Sequence, residues 1–149
     1  MSILKKSINN QLLIDTGIFV ALASYRDAHH EKAKQMLKST ERMEWITTWP
    51  VIVETCYMLG KVSPLESEKF LDMYFYGAFS VFELSKDQVP RIQELMRKYI
   101  DLPMDLADAS LVILAEHIGH GKILSTDKRD FNAYRWKNHH PFENLFLNS

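Results

Sequence analysis

The chain predicts an α/β sandwich: a central, mainly parallel sheet with helices on both faces. Three observations lead there. Short strand-like segments alternate with helical ones along the 149 residues, the order that a parallel sheet with crossover helices produces. QLLID, at 11–15, reads as a short buried strand, too apolar to face water on either side. LADASLVILAEHIG, at 106–119, is apolar nearly all round, which marks a central buried helix rather than a surface one.

The remaining elements fit around these. GIFVALAS continues the first strand as a helix, and HHEKAKQMLKS places Ala33, Met36 and Leu37 at helical spacing. EWITTW is rich in β-formers. Pro50 then suits the first turn of a helix running through VIVETCYMLG, with Gly60 as its stop. PLESEKFLDMYFYG predicts a further helix with Leu65, Phe70, Leu71, Tyr74 and Phe75 as its apolar positions. The faces holding Tyr57, Met73, Tyr74 and Phe75 are expected in the core, with a partner surface as the alternative. FSVFEL reads as a strand alternating at Val81. SKDQVPRIQELMRKYI is one serine-capped helix with Ile92, Leu95, Met96 and Tyr99 on one face. KILSTD is a strand, NLFLN a last one, and Asp130 is expected to cap a short helix between them.

Composition bounds the function. The length and the absence of repeats or linker-like tracts predict a single domain over 1–149. Eighteen basic residues nearly cancel nineteen acidic ones, so no bulk charge marks a nucleic-acid or membrane partner, although a local basic stripe remains compatible with RNA binding. The single Cys56 excludes an intramolecular disulfide framework and a cysteine-rich zinc site. MSILKKSINN lacks the apolar region and cleavage site of a secretory leader, and LLIDTGIFVALA is too short to span a bilayer. These features predict a soluble, cytoplasmic protein with no membrane partner.

The informative residues are acids in apolar surroundings. Asp15 ends the first strand and Asp127 ends ILSTD, and ligands of open parallel sheets bind outside those carboxyl ends. Asp105 and Asp108 open the buried helix one turn apart and share a face. Glu54 sits within the apolar helix VIVETCYML. Each alone has an ordinary reading: Asp105 as a cap, Glu54 as a helix-edge position, Asp127 as the start of a turn. Together they come from separate segments that one α/β sheet gathers at one end. Two carboxylates ~5 Å apart repel by roughly 3 kcal/mol at an effective dielectric near 20. Such a cluster protonates, splays or recruits a cation. Oxygen-only donors suit hard ions, Mg²⁺ or Mn²⁺ above all.

With these segments in view, the chain resembles a known family. LLIDTGIFVALAS, VIVETCYML, DLPMDLADASLVILAE and ILSTDKRDF look like the ordered acidic motifs of PIN-domain ribonucleases, specifically VapC-type toxins of toxin–antitoxin pairs, over roughly residues 11 to 147. The resemblance implies a PIN-like three-layer α/β/α sandwich and Mg²⁺- or Mn²⁺-dependent hydrolysis of RNA. It also implies homodimerisation and inhibition by a cognate antitoxin protein. Position by position it carries catalytic roles to Asp15, Glu54, Asp108 and Asp127, with Asp105 as an additional acid. Asp15, Asp108 and Asp127 are the implied metal ligands. Thr16 and Thr126, next to site acids, are expected to hydrogen-bond them or the reacting water.

Substrate phosphates need cations as well. KRDFNAYRWKNHH offers Lys128, Arg129, Arg135 and Lys137, interleaved with Tyr134 and Trp136 as stacking surfaces for unpaired RNA. The alternative for this stretch is a solvated helix with part-buried aromatics. No GxxxxGK[ST] loop, GxGxxG turn or GxSxG elbow occurs, and HHEKA lacks HExxH spacing. An aspartyl-phosphate phosphatase expects DxD where this chain has Asp15-Thr16-Gly17. Two further readings stay open: a PIN nuclease of RNA processing rather than a toxin, and a non-enzymatic, receiver-like Mg²⁺-binding signalling domain.

Overall fold

A computed structural model describes residues 10–147. The leader reading of MSILKKSIN, the ends of the domain assignment and Asn148 of NLFLN lie outside the described residues.

The sheet begins with β1 (Gln11–Ile14), whose Leu12, Leu13 and Ile14 are fully buried because both faces are covered. The chain continues through helices α1 (Thr16–Ala23) and α2 (His30–Ser39) into β2 (Glu44–Thr48). Next come α3 (Trp49–Gly60), α4 (Pro64–Phe75) and β3 (Ser80–Phe82). Helices α5 (Val89–Lys98) and α6 (Leu106–Ile118) lead to β4 (Lys122–Leu124). The chain closes with α7 (Asp130–Ala133), a β5–β6 hairpin (Arg135–Trp136 and His140–Pro141) and β7 (Glu143–Asn144). The five sheet strands lie in the order β3-β2-β1-β4-β7, and every neighbouring pair is parallel.

This order positions the site. The chain builds outward from β1 through β2 to β3, then returns to lay β4 and β7 on the other side of β1. The topological switch therefore falls between β1 and β4, where crossover connections diverge and leave a crevice at the carboxyl ends. Strand geometry shows two helical layers. Trp45 of β2 packs edge-on against Phe19 of α1, whereas Thr48, three residues on and so on the opposite face, bonds Ser110 of α6 at 2.6 Å. Helix α6 is buried from Ala109 to Ala115, as its uniform apolarity requires.

Several expectations change. The segment from Ser85 is two elements, not one helix. Ser85 and Gln88 form a capping box around a 3₁₀ turn, Lys86–Gln88, and α5 starts afresh at Val89. Pro90 lacks an N–H, so it suits a new first turn rather than a helix interior. β3 is an edge strand, half-buried throughout instead of alternating. β7 lies earlier than NLFLN, at Glu143–Asn144. Tyr57 and Phe75 are 66% and 79% exposed, not core. On α4 the buried line runs through Phe70 and Tyr74, whose rings stack on Phe79; Phe75 is rotated ~100° from Tyr74 and faces outward. The KRDFNAYRWKNHH stretch is a single helical turn followed by the hairpin, not a continuous solvated helix.

Candidate active site

Each acid is placed by a backbone junction. Asp15 directly follows β1 and caps α1: its Oδ1 accepts from the Thr16 N–H at 2.8 Å, and its own N–H bonds Leu124 O of β4 at 3.1 Å. Asp105 caps α6 in the same way, accepting from the Asp108 N–H at 2.8 Å. Asp127 Oδ1 accepts from the Asp130 N–H at 3.0 Å, so Asp127 performs the capping expected of Asp130. Asp108 stands in the first turn of α6, and Glu54 midway along α3. Three helix starts thus deliver acids to one crevice.

Electrostatics confirm that the carboxylates sense one another. Burial, above all, pushes Asp15 up to about 6, and the charges of Asp127 and Asp105 add to it; hydrogen bonds from Ser125 and Thr16 pull the other way. Asp108 is pushed up to about 8, first by burial and then by Asp105 and Asp15, against a hydrogen bond from Tyr134. Glu54 is raised by burial, then by Asp105 and Asp15. Asp127 is raised by burial, while the Asp130 N–H and the Arg129 charge hold it back. None of the ion pairs among the described residues includes Asp15, Glu54, Asp105, Asp108 or Asp127.

The expected ligand set Asp15, Asp108 and Asp127 is not already closed into a coordination sphere, nor is any other trio of His, Cys, Asp or Glu among the described residues. Asp15 and Asp127 are instead tied to backbone N–H groups of their own segments. The donor set nonetheless fits a hard divalent cation. It is all oxygen, anionic and, among the described residues, in no ion pair. The Thr16 hydroxyl, buried without a normal hydrogen-bond partner and near enough to draw the Glu54 pKa down, adds a spare oxygen.

Two positioning groups escaped the sequence reading. Ser125 Oγ donates to Asp15 Oδ2 at 2.7 Å and accepts from the Asp127 N–H at 2.9 Å, tying two acids together with one hydroxyl. Its signal was a serine two residues before an acid at a strand end, the spacing of a serine turn. Thr126, like Thr16, is expected from the sequence to hydrogen-bond a site acid or the reacting water. Thr126 instead packs over Gly17, where a Cβ would overlap its hydroxyl and stand 3.2 Å from its Cβ. Glycine at 17 is what lets α1 and the β4 loop approach. Tyr134 is the second group, and it is fully buried rather than a stacking surface for RNA; its Oη donates to Asp108 Oδ2 at 3.0 Å.

The four candidate cations divide. Lys128 and Arg129 are exposed directly beside Asp127, Arg129 with its Nε donating to Asp130 Oδ1 at 3.2 Å. Arg135 is held by its own backbone, its guanidinium donating to the Asn132 and Tyr134 carbonyls at 2.8 and 2.9 Å. Lys137 lies in the hairpin turn over Trp136, whose ring stacks on His140. A groove of about 560 Å³ opens beside Glu54 and Asp105, with Trp49, Val53, Tyr57 and Leu106 in its walls.

The fold has a counterpart among known proteins: the PIN domain family model matches residues 12–137. The chain belongs to the PIN-domain family. A curated relative, Ribonuclease VapC26 of Mycobacterium tuberculosis, is 23% identical over 125 residues, covering 83% of this chain and 92% of that protein. The crystal structure of VapC20 from the same organism, a sarcin–ricin-loop-cleaving toxin, superposes with a TM-score of 0.71 at 18% identity, over 79% of this chain and 91% of that one. The likeness to VapC20 shows a shared PIN fold, in agreement with the parallel five-stranded sheet between helices.

Proposed function

We propose that this PIN domain is a divalent-metal-dependent endoribonuclease that hydrolyses RNA phosphodiester bonds, and that it is the toxin of a toxin–antitoxin pair. The observation that carries the reading is the set of carboxylates at the β1/β4 switch point, raised in pKa and in no ion pair among the described residues. The names of its relatives, a ribonuclease and an RNA-cleaving toxin, support the substrate class.

In this reading Asp15, Asp108 and Asp127 would hold the cation, with Glu54 completing the set and Asp105 orienting the α6 start. Mg²⁺ or Mn²⁺, when bound there, would supply positive charge beside the scissile phosphate and lower the pKa of a water. Ser125 keeps Asp15 and Asp127 in register. Lys128 and Arg129 meet flanking phosphates. Exposed apolar residues such as Val53, Tyr57, Phe75 and Tyr76 form the surface that a second copy or a cognate antitoxin covers. No helix among the described residues is long and apolar enough to cross a membrane, and a toxin acting on the cell's own RNA would work in the cytoplasm.

Purified protein is expected to cleave RNA with Mg²⁺ or Mn²⁺ and to stop on addition of EDTA. Expressed alone in bacteria it should arrest growth, with relief by the cognate antitoxin. Metal-dependent cleavage without growth arrest would move the protein to RNA processing. No cleavage with either ion would remove the nuclease reading.

A further inference from the structure

We propose that Tyr134 is a positioning residue for the acidic cluster: its phenol hydroxyl anchors the Asp108 carboxylate so that the cluster grips a divalent cation. The proposal rests on the metal-dependent reading above and adds a group from outside the acidic motifs.

Asp108 is crowded. The charges of Asp105 and Asp15 act on it, and none of the ion pairs among the described residues includes it. Left to itself, a carboxylate so placed rotates away from its like-charged neighbours. Tyr134 opposes that rotation. Its Oη donates to Oδ2 at 3.0 Å, the bond that Asp108's side chain makes among the described residues, leaving Oδ1 for a ligand. The tyrosine itself is immobile. It is 0% exposed, and its ring meets Tyr99 at 5.0 Å and Phe131 at 5.2 Å, both edge-on. Carboxylates that bind metals are themselves held by such outer partners, whose loss typically costs about 10–100-fold in affinity or activity.

A buried phenol needs some partner, and Asp108 could be only that. Tyr99 supplies the internal control. It is also buried, packs on the same ring, and its Oη accepts from the Arg135 N–H at 2.9 Å, without a bond to an acid among the described residues. One hydroxyl serves the backbone; the other reaches the acidic crevice.

The test uses full-length wild type, Tyr134→Phe and Tyr99→Phe. Mn²⁺ binding is measured by titration calorimetry without RNA, and melting is followed in EDTA. Tyr134→Phe should bind Mn²⁺ about 10-fold more weakly, lower kcat for RNA with KM unchanged, and melt in EDTA no earlier than Tyr99→Phe. Tyr99→Phe should bind Mn²⁺ like wild type. Equal Mn²⁺ affinity in wild type and Tyr134→Phe would overturn the proposal and leave the metal site intact. Absence of Mn²⁺ binding by wild type would overturn the metal-dependent reading itself, and the proposal with it.

Discussion

The two ends of α6 hold acids in opposite circumstances. At its C-terminal end Glu116 accepts from Arg91 Nε at 3.1 Å and Nη2 at 2.6 Å, and from the Lys137 N–H at 2.6 Å. Arg91 also reaches Glu94 and Asn138, so this cluster pins the β5–β6 turn. That turn needs pinning, because Lys137 and Asn138 both adopt positive φ, 49° and 65°. At the N-terminal end Asp105 and Asp108 share space with Asp15 and Glu54, and none of the four has an ion pair among the described residues. Helix polarity makes the contrast sharper. Negative charge is favoured at a helix start and disfavoured at its end, so the acid that needs help receives Arg91. The start of α6 relieves part of its own cluster's repulsion, and the rest is left for a ligand. An acid in a fold is thus informative by its partners, not its presence.

Substitutions at both ends test that contrast. The largest effect is expected for Asp15→Asn, which keeps the side-chain shape and removes a charge. RNA turnover should fall by about two orders of magnitude or more while the melting temperature in EDTA holds or rises. Glu116→Gln should do the reverse. Half-buried Arg91 loses its strongest partner, stability falls by about 1–3 kcal/mol in urea titration, and turnover of the folded fraction stays within about two-fold. If the two variants behaved alike, the ends of α6 would not differ in role. The smallest effect belongs to Asp105→Ala, where loss of a helix cap should cost about 1 kcal/mol in EDTA. Any accompanying loss of turnover would show that Asp105 also serves the cation.

Much of this arrangement is legible in the sequence, for a physical reason. A lone acid at the end of an apolar strand, as in QLLID and KILSTD, has few places to go except the crevice at the sheet's carboxyl edge. What was not legible depends on long-range pairing. Ser125 reads as an ordinary turn residue until β4 lies beside β1 and brings it to Asp15, 110 residues away. Tyr134 reads as surface because charged residues surround it; only packing against Tyr99 and Phe131 buries it. The hairpin turn carries Lys137 where glycine would have signalled it, and tertiary bonds from Glu116 and Arg91 hold what local propensity would not. Tyr57 and Phe75 lie at helical spacing that suits a core, but α3 and α4 have no further layer outside them.

The central claim is that the cluster's charge is unbalanced until a cation arrives, and thermal melting of wild type and Asp108→Asn across pH, in EDTA and in millimolar Mg²⁺, tests it most directly. In the folded metal-free protein Asp15 and Asp108 are raised from 3.8 to about 6 and about 8. The folded chain therefore binds protons more tightly than the unfolded one, and this contribution to stability, full below about pH 4, is lost as pH rises through 6 to 8. Asparagine at 108 still accepts from Tyr134 and cannot ionise. In EDTA the variant should therefore gain on wild type as pH rises, and melt no earlier than wild type by pH 8. Mg²⁺, which binds the folded form, should raise the wild-type melting temperature with concentration and the variant's by clearly less. An equal loss of stability for Asp108→Asn in both buffers, at every pH, would contradict the account and make Asp108 a structural residue.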